Sequence, residues 1–231
     1  MVQEVNKPYH ILRIKFVKTG SLQYVSHLDL VRTINKVLIR TKLPLWYSEG
    51  FNPKPKMVFS PPLSIGVESH CEFLDVRLTE RVDEKTALQL FCRNVTEELS
   101  ALDAYYPETK LSDIGWYSYK IELNAPNLTE EKCARCNEIA AGESIVIEKK
   151  GKSGIKELDI KPLIHSFSAV YSDGKIKINT VLSADPSAIL NPELLIKKLD
   201  SEVQLFSGDL LNEYHTVLRE CAYTKDMAVY K

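Results

Sequence analysis

Residues 10–18, HILRIKFVK, alternate apolar and polar positions, the period of a half-buried strand. Thr19 and Gly20 supply a turn. From Ser26 the period lengthens. Leu30, Ile34, Val37, Leu38 and Thr41 recur at helical spacing, which predicts an amphipathic helix over 27–41 that Pro44 stops. Two short extended pieces follow, LWYS at 45–48 and MVFS at 57–60, and then a clearer strand, CEFLDVRL at 71–78. The run 82–99, VDEKTALQLFCRNVTEEL, predicts a second helix, with Asp83 and Glu84 at the end where the helix dipole favours anions. AYYPE at 104–108 reads as a closing strand. Strand–helix–strand–strand–helix–strand is the order of a split βαβ, or ferredoxin-like, unit.

The same order recurs further on. WYSYKIEL at 116–123 alternates; Thr129 is placed to cap a helix over 130–141 that ends at Gly142. SIVIEKK at 144–150 alternates and runs into a Gly-Lys-Ser-Gly turn at 151–154. Residues 155–164 fit either state. FSAVYSDGKIKINTVL at 167–182 is a hairpin turning on Asp173-Gly174. Pro192 suits the first position of a helix to about Leu199, and HTVLRECAY at 215–223 is a last strand. No repeat is visible in the residues themselves; the element order alone carries the duplication. The expected fold class is therefore α+β, with two ferredoxin-like (split βαβ) halves packed in tandem. Residues 1–110 hold a basic helix and a Pro-rich loop, residues 111–231 form the second half, and the boundary falls near 108–115.

Length and composition fit this scheme. The chain has 231 residues, 44% hydrophobic and 26% charged, enough to bury a sizeable core. A net charge of −1 excludes a polycation overall, but the distribution is uneven. Up to Ser64 there are ten cations (Lys7, Arg13, Lys15, Lys18, Arg32, Lys36, Arg40, Lys42, Lys54, Lys56) against three anions (Glu4, Asp29, Glu49). Taken from the totals of 30 and 31, this leaves 20 cations and 28 anions in the remainder. A basic first quarter on an acidic body points to one surface that faces a polyanion; a solvated face is the structural alternative. No 18-residue apolar stretch and no secretory leader pattern occur, so no membrane partner and a cytoplasmic location with free thiols are expected.

The residues that carry candidate chemistry lie in that basic quarter. In SHLDLVR, Ser26 and Asp29 have capping-box spacing, a structural role. His27 falls in the first helical turn, off the apolar face, at an end where free N–H groups attract anions; there an imidazole can bind phosphate or act with Asp29 as acid and base. Arg32, Lys36 and Arg40 follow at i, i+4 and i+8 as a cationic stripe. Like charges so placed cost about 0.2–0.5 kcal/mol per pair unless a partner neutralises them. In SEGFNPKPKMVF (48–59), Gly50 permits an unusual turn, and Pro53 and Pro55 stiffen the segment that carries Phe51, Asn52, Lys54 and Lys56. An aromatic face among braced cations suits single-stranded nucleic acid, where bases stack and lysines meet phosphates. Tyr24, Trp46 and Tyr47 are close by in sequence. The alternative is a crossover loop whose Phe51 fills the core.

Other motifs are weaker. Cys133 and Cys136 form a CxxC inside a helical pattern, with no second pair to complete a zinc ribbon, so buried or exposed helix cysteines are expected and no metal. KKGKSGIK at 149–156 lacks the G-x-x-x-x-G-K-S/T spacing of a phosphate loop. No GxSxG, HExxH or GxGxxG occurs, and no cofactor is expected.

The stretch FVKTGSLQYVSHLDLVRTINKVLIRTKLPLWYSEGFNPKPKMVFSPPLSIGVES resembles the opening of the radical-SAM-associated (radical-SAM-linked) protein family, a domain of unknown function, and KELDIKPLI and ILNPELLI resemble later parts. The resemblance implies an accessory unit that stands beside a B12-binding-type radical SAM enzyme, since this chain lacks that enzyme's cysteine motif. Family genes near those for ribosomal proteins and ribonucleases imply work on RNA or the ribosome. At the level of fold the element order is also similar to RNA-holding proteins with two ferredoxin-like halves, such as CRISPR repeat-processing endoribonucleases and some tRNA pseudouridine synthases. Three readings follow: an RNA-binding module for tRNA or rRNA that serves a radical SAM partner, a stand-alone RNA-processing or RNA-modifying enzyme using His27 and Asp29, and a protein-only adaptor that docks the partner through the acidic half.

Overall fold

Two buried arginines, one in each half of the chain, mark where the sheets leave no room for water. The structure is a computed structural model and describes residues 9–151 and 154–231. The chain divides into two compact units, one up to Leu111 joined by Lys231, the other from Ser112 to Tyr230.

In the first unit, β1 (His10–Lys18), α1 (His27–Thr41), β2 (Met57–Phe59), β3 (Val67–Leu78), α2 (Glu84–Cys92) and β4 (Ala101–Tyr105) follow one another. The strands lie in the order β4-β1-β3 with β2 beyond β3, and each of these pairings is antiparallel. This is the split βαβ arrangement. Leu12, Ile14 and Phe16 of β1 meet Leu30, Ile34, Val37 and Leu38 of α1, together with Leu74, Val76 and Leu78 of β3 and Ala87 and Phe91 of α2. Arg13, between two core positions, points to the other face and is fully buried. Its Nε and Nη2 donate to Asp75 at 2.7 and 2.8 Å, directly across β3, and Nη1 and Nη2 donate to Thr109 Oγ1 and to its carbonyl, both at 3.0 Å.

The second helix is shorter than the 82–99 pattern predicts. Asp83 caps it, accepting from Thr86 N at 2.8 Å, and it stops at Cys92. The Asn94 amide donates to the Leu90 carbonyl at 2.8 Å and closes the last turn. A 3₁₀ turn at Glu97–Leu99 then brings Leu99 back to the core. Apolar period alone could not see that break, because no glycine or proline marks it.

The second unit contains β5 (Ile114–Asn124), α3 (Glu130–Ala141), β6 (Val146–Gly151), β7 (Gly154–Asp159), β8 (Ile164–Ser172), β9 (Lys175–Ser183), α4 (Pro192–Val203) and β10 (Tyr214–Thr224). The order β10-β5-β9-β8, antiparallel throughout, repeats the first unit, with the β6–β7 hairpin inserted after α3 as a sheet of its own. The ambiguous 155–164 segment resolves into β7 and a 3₁₀ turn at Lys161–Leu163. The Gly-Lys-Ser-Gly turn expected at 151–154 includes residues 152 and 153, which lie outside the described residues. Asp173 and Gly174 both have positive φ, +55° and +77°, as the hairpin turn requires. α4 runs four residues past Leu199, to Val203, until Gln204 takes up a left-handed cap. Arg219, almost buried, lies 4.0 Å over the Tyr117 ring, and its Nε donates to Tyr119 Oη at 3.3 Å.

No helix among the described residues is long and apolar enough to cross a membrane. Cys133 and Cys136 are buried free thiols on the inner face of α3. Burial, with a smaller push from Cys133, raises the Cys136 pKa to about 11. Roughly one such thiol in a thousand is ionised at pH 8. Alkylation of the folded chain at pH 8 is therefore expected to modify Cys92 and Cys221 first; early labelling of Cys136, read by peptide mapping, would contradict this. Asp75→Ala strands the Arg13 guanidinium without its carboxylate and is expected to cost about 3–5 kcal/mol, read by urea denaturation.

Candidate nucleic-acid interface

The 48–56 segment is the tip of a hairpin. Tyr47 bridges Pro55, Ser48 N donates to the Lys54 carbonyl at 2.8 Å, Lys54 N to Ser48 Oγ at 3.0 Å, and Lys56 N to the Trp46 carbonyl at 2.8 Å. The base of the hairpin is tied to β3: Trp46 N donates to the Arg77 carbonyl and Arg77 N to that of Lys56. Gly50 turns the tip at φ +113°, a backbone that L side chains rarely adopt, although space around it is open. Pro55 is buried and anchors the return limb, while Asn52, Lys54 and Lys56 are exposed. Phe51 is 112% exposed, so it does not fill the core. Of the nearby aromatics, Trp46 is taken up edge-on by Tyr9 at 5.3 Å, whereas Tyr47 and Tyr24 are exposed.

On α1, Ser26 is the N-cap. Its hydroxyl accepts from Asp29 N at 3.2 Å and donates to Asp29 Oδ2 at 2.7 Å, while Arg32 Nη1 donates to Asp29 Oδ1 at 2.9 Å. The Ser26 hydroxyl, and then Arg32, lower the Asp29 pKa, which makes it a capping anion and a weak base. His27 is exposed and meets Phe59 edge-on at 5.5 Å. That ring contact ties the start of α1 to β2, the strand that leaves the hairpin. Lys36 and Arg40 are exposed and line a groove of about 430 Å³ with Arg93, over Leu22, Val37, Val95 and Leu99.

The structure therefore groups the candidates in three. Phe51, Asn52, Lys54 and Lys56 share the hairpin tip. Lys36 and Arg40 share the groove. Ser26, Asp29 and Arg32 bind one another. Arg93 is the residue that the sequence did not bring into view, because only the packing of α1 against the chain after α2 places it beside Lys36. The count of ten cations also needs correction as a surface charge. Arg13 and Lys18 are interior, Lys7 lies outside the described residues, and Arg32 is neutralised by Asp29. Among the described residues no group of three or more His, Cys, Asp or Glu is placed to hold a metal ion.

These features define an α+β protein built from two split βαβ units, the first bearing an exposed aromatic and two cationic clusters. The chain belongs to the family described as an uncharacterized protein conserved in bacteria (DUF2344), whose profile matches residues 12–192. No curated protein matches it. Among solved structures, a chain of a Cbf5-Nop10-Gar1 complex is similar at a TM-score of 0.52 and 11% identity, over 91% of this chain and 48% of that one. The chain thus spans about half of that neighbour, and the likeness bears on the fold alone. DyPB from Rhodococcus jostii RHA1 matches at a TM-score of 0.22 and 10% identity over 96% and 95% of the two chains, too distant to carry an argument.

Because Phe51 contacts nothing that folding needs, Phe51→Ser is expected to leave stability within about 0.5 kcal/mol of the parent. A larger loss on denaturation would mean that the ring packs against the fold.

Proposed function

We propose that this chain is an RNA-binding module, for tRNA or rRNA, that works with a radical SAM enzyme in RNA modification or processing. The observation that carries the RNA part is Phe51, wholly exposed on a hairpin tip closed by backbone hydrogen bonds, with Asn52, Lys54 and Lys56 beside it. Holding a large apolar ring in water is unfavourable unless a partner covers it. A base stacked on the ring does so, and a braced loop loses little entropy on binding. Lys36, Arg40 and Arg93 add a groove that suits a phosphate backbone. The radical SAM partner rests on the resemblance of residues 16–69. The Cbf5-Nop10-Gar1 neighbour comes from a multi-protein complex, which fits a unit that acts in company.

The stand-alone enzyme reading is less well supported. It pairs His27 with Asp29, and both Asp29 oxygens are engaged by Ser26 and Arg32. His27→Ala separates the two: loss of turnover with RNA affinity intact would favour the enzyme.

The test is affinity for bulk cellular tRNA and rRNA at two salt concentrations. Replacing Lys54 and Lys56 by Ala is expected to weaken binding and to reduce the log–log salt slope by about 1.4, at roughly 0.7 per lost phosphate contact on a single strand. Phe51→Ala is expected to cost about 1–3 kcal/mol in binding. An unchanged slope and affinity in both variants sinks the RNA reading. Capture of a radical SAM protein that survives nuclease treatment, with no RNA affinity, would favour the adaptor.

A further inference from the structure

The second unit carries a pocket that the RNA reading does not use. It lies between α4 and the chain that enters β10, encloses about 440 Å³, and is lined by Ile196, Phe206, Leu210 and Tyr214 with few polar groups. This size and lining are those of a small-molecule site.

Its wall is built rather than loose. Asp200 Oδ1 accepts from Phe206 N at 2.9 Å and fixes the exit from α4. The Glu213 carboxylate accepts from the backbone N–H groups of Ser207, Gly208 and Asp209 at 2.8–3.0 Å and from Ser207 Oγ at 2.7 Å. Those four donors lower the Glu213 pKa, Ser207 first, so the carboxylate stays ionised and holds the loop at neutral pH. The braced loop nonetheless presents Leu210 and Leu211 to water, each 92% exposed. A rigid loop that holds out a leucine which also lines a pocket leaves that pocket one wall short, and a bound apolar group completes it.

The polar anchor is His215. Its Nε2 meets Glu193 Oε1 at 2.8 Å, with both side chains 30% exposed at the pocket edge. His215 is the first cause of the lowered Glu193 pKa, so the carboxylate is ionised at neutral pH and acts only as an acceptor. Nε2 must then carry the proton, and in the neutral ring Nδ1 is left as an acceptor. Lys197 stands on the same wall.

We infer that this pocket is a ligand site for a small planar or branched apolar molecule that presents one hydrogen-bond donor to His215, with Glu193 fixing the imidazole tautomer. The site is independent of the hairpin of the first unit. Its residues come from α4 and the approach to β10, and RNA binding at Phe51 neither requires nor excludes it.

Indole and 1-methylindole are suitable probes, since they share an apolar body and only indole has a donor. Titrated into the full ¹⁵N-labelled chain, indole is expected to shift the amides of 193–197, 206–210 and 214–215 in one saturable phase, about threefold or more tighter than 1-methylindole. Leu210→Glu, at a fully exposed position that folding does not use, is expected to weaken both probes at least fivefold with an unchanged melting temperature. His215→Phe is expected to erase the preference for indole. The inference is overturned if neither probe shifts these amides up to its solubility limit. It is also overturned if both bind Leu210→Glu as tightly as the parent, or if the indole preference survives His215→Phe. RNA affinity in Leu210→Glu, expected unchanged, keeps this outcome separate from that of the hairpin.

Discussion

The pair between Arg13 and Asp75 fixes where the first unit can place everything else. A guanidinium with no exposed surface sits across from a carboxylate one strand away, bound twice. Slipping β1 by one residue would set that charge against Leu74 or Val76, both fully buried, and an unpartnered buried charge costs several kcal/mol. The pair contributes more to register than to net stability, since desolvation offsets much of its attraction. Register then propagates. Two residues beyond Asp75, Arg77 exchanges backbone hydrogen bonds with Trp46 and Lys56, and these are the base of the hairpin. The position of Phe51 thus follows from a charge pair in the strand interior.

The hairpin and the groove use opposite devices toward one kind of partner. The hairpin is stiff: a buried proline, a left-handed glycine and backbone bonds across its neck leave few conformations for a ligand to freeze out. The groove relies on charge from two elements, with Lys36 and Arg40 spaced one turn apart on α1 and Arg93 just past α2. The charge arithmetic of the first 64 residues overstates this surface. Arg13 and Lys18 serve the interior, and Arg32 is spent on the helix cap. What faces water is a smaller set of exposed cations than the sequence implies, arranged in two clusters.

The second unit shows how one topology carries different surfaces. It repeats the strand order of the first, yet its last helix opens onto a long loop that a buttressed carboxylate, Glu213, holds in shape. That loop ends at β10, so the pocket and the His215–Glu193 pair are consequences of how α4 reaches its strand, as the groove is a consequence of how α2 reaches β4.

Element order, and with it the fold class, was legible in the residues themselves. Alternation in HILRIKFVK, the 3.6 period from Leu30 to Thr41 and the Asp173-Gly174 turn are local signals, decided by each segment's own side chains and dihedrals. The stiffness of the Pro-Gly loop was legible for the same reason. The break after Cys92, the interior fate of Arg13 and Lys18, the outward aim of Phe51, the arrival of Arg93 beside Lys36 and the meeting of Glu193 with His215 were not. Each depends on contacts between residues far apart in the chain, and burial is a property of what packs against a side chain, which no window of sequence contains.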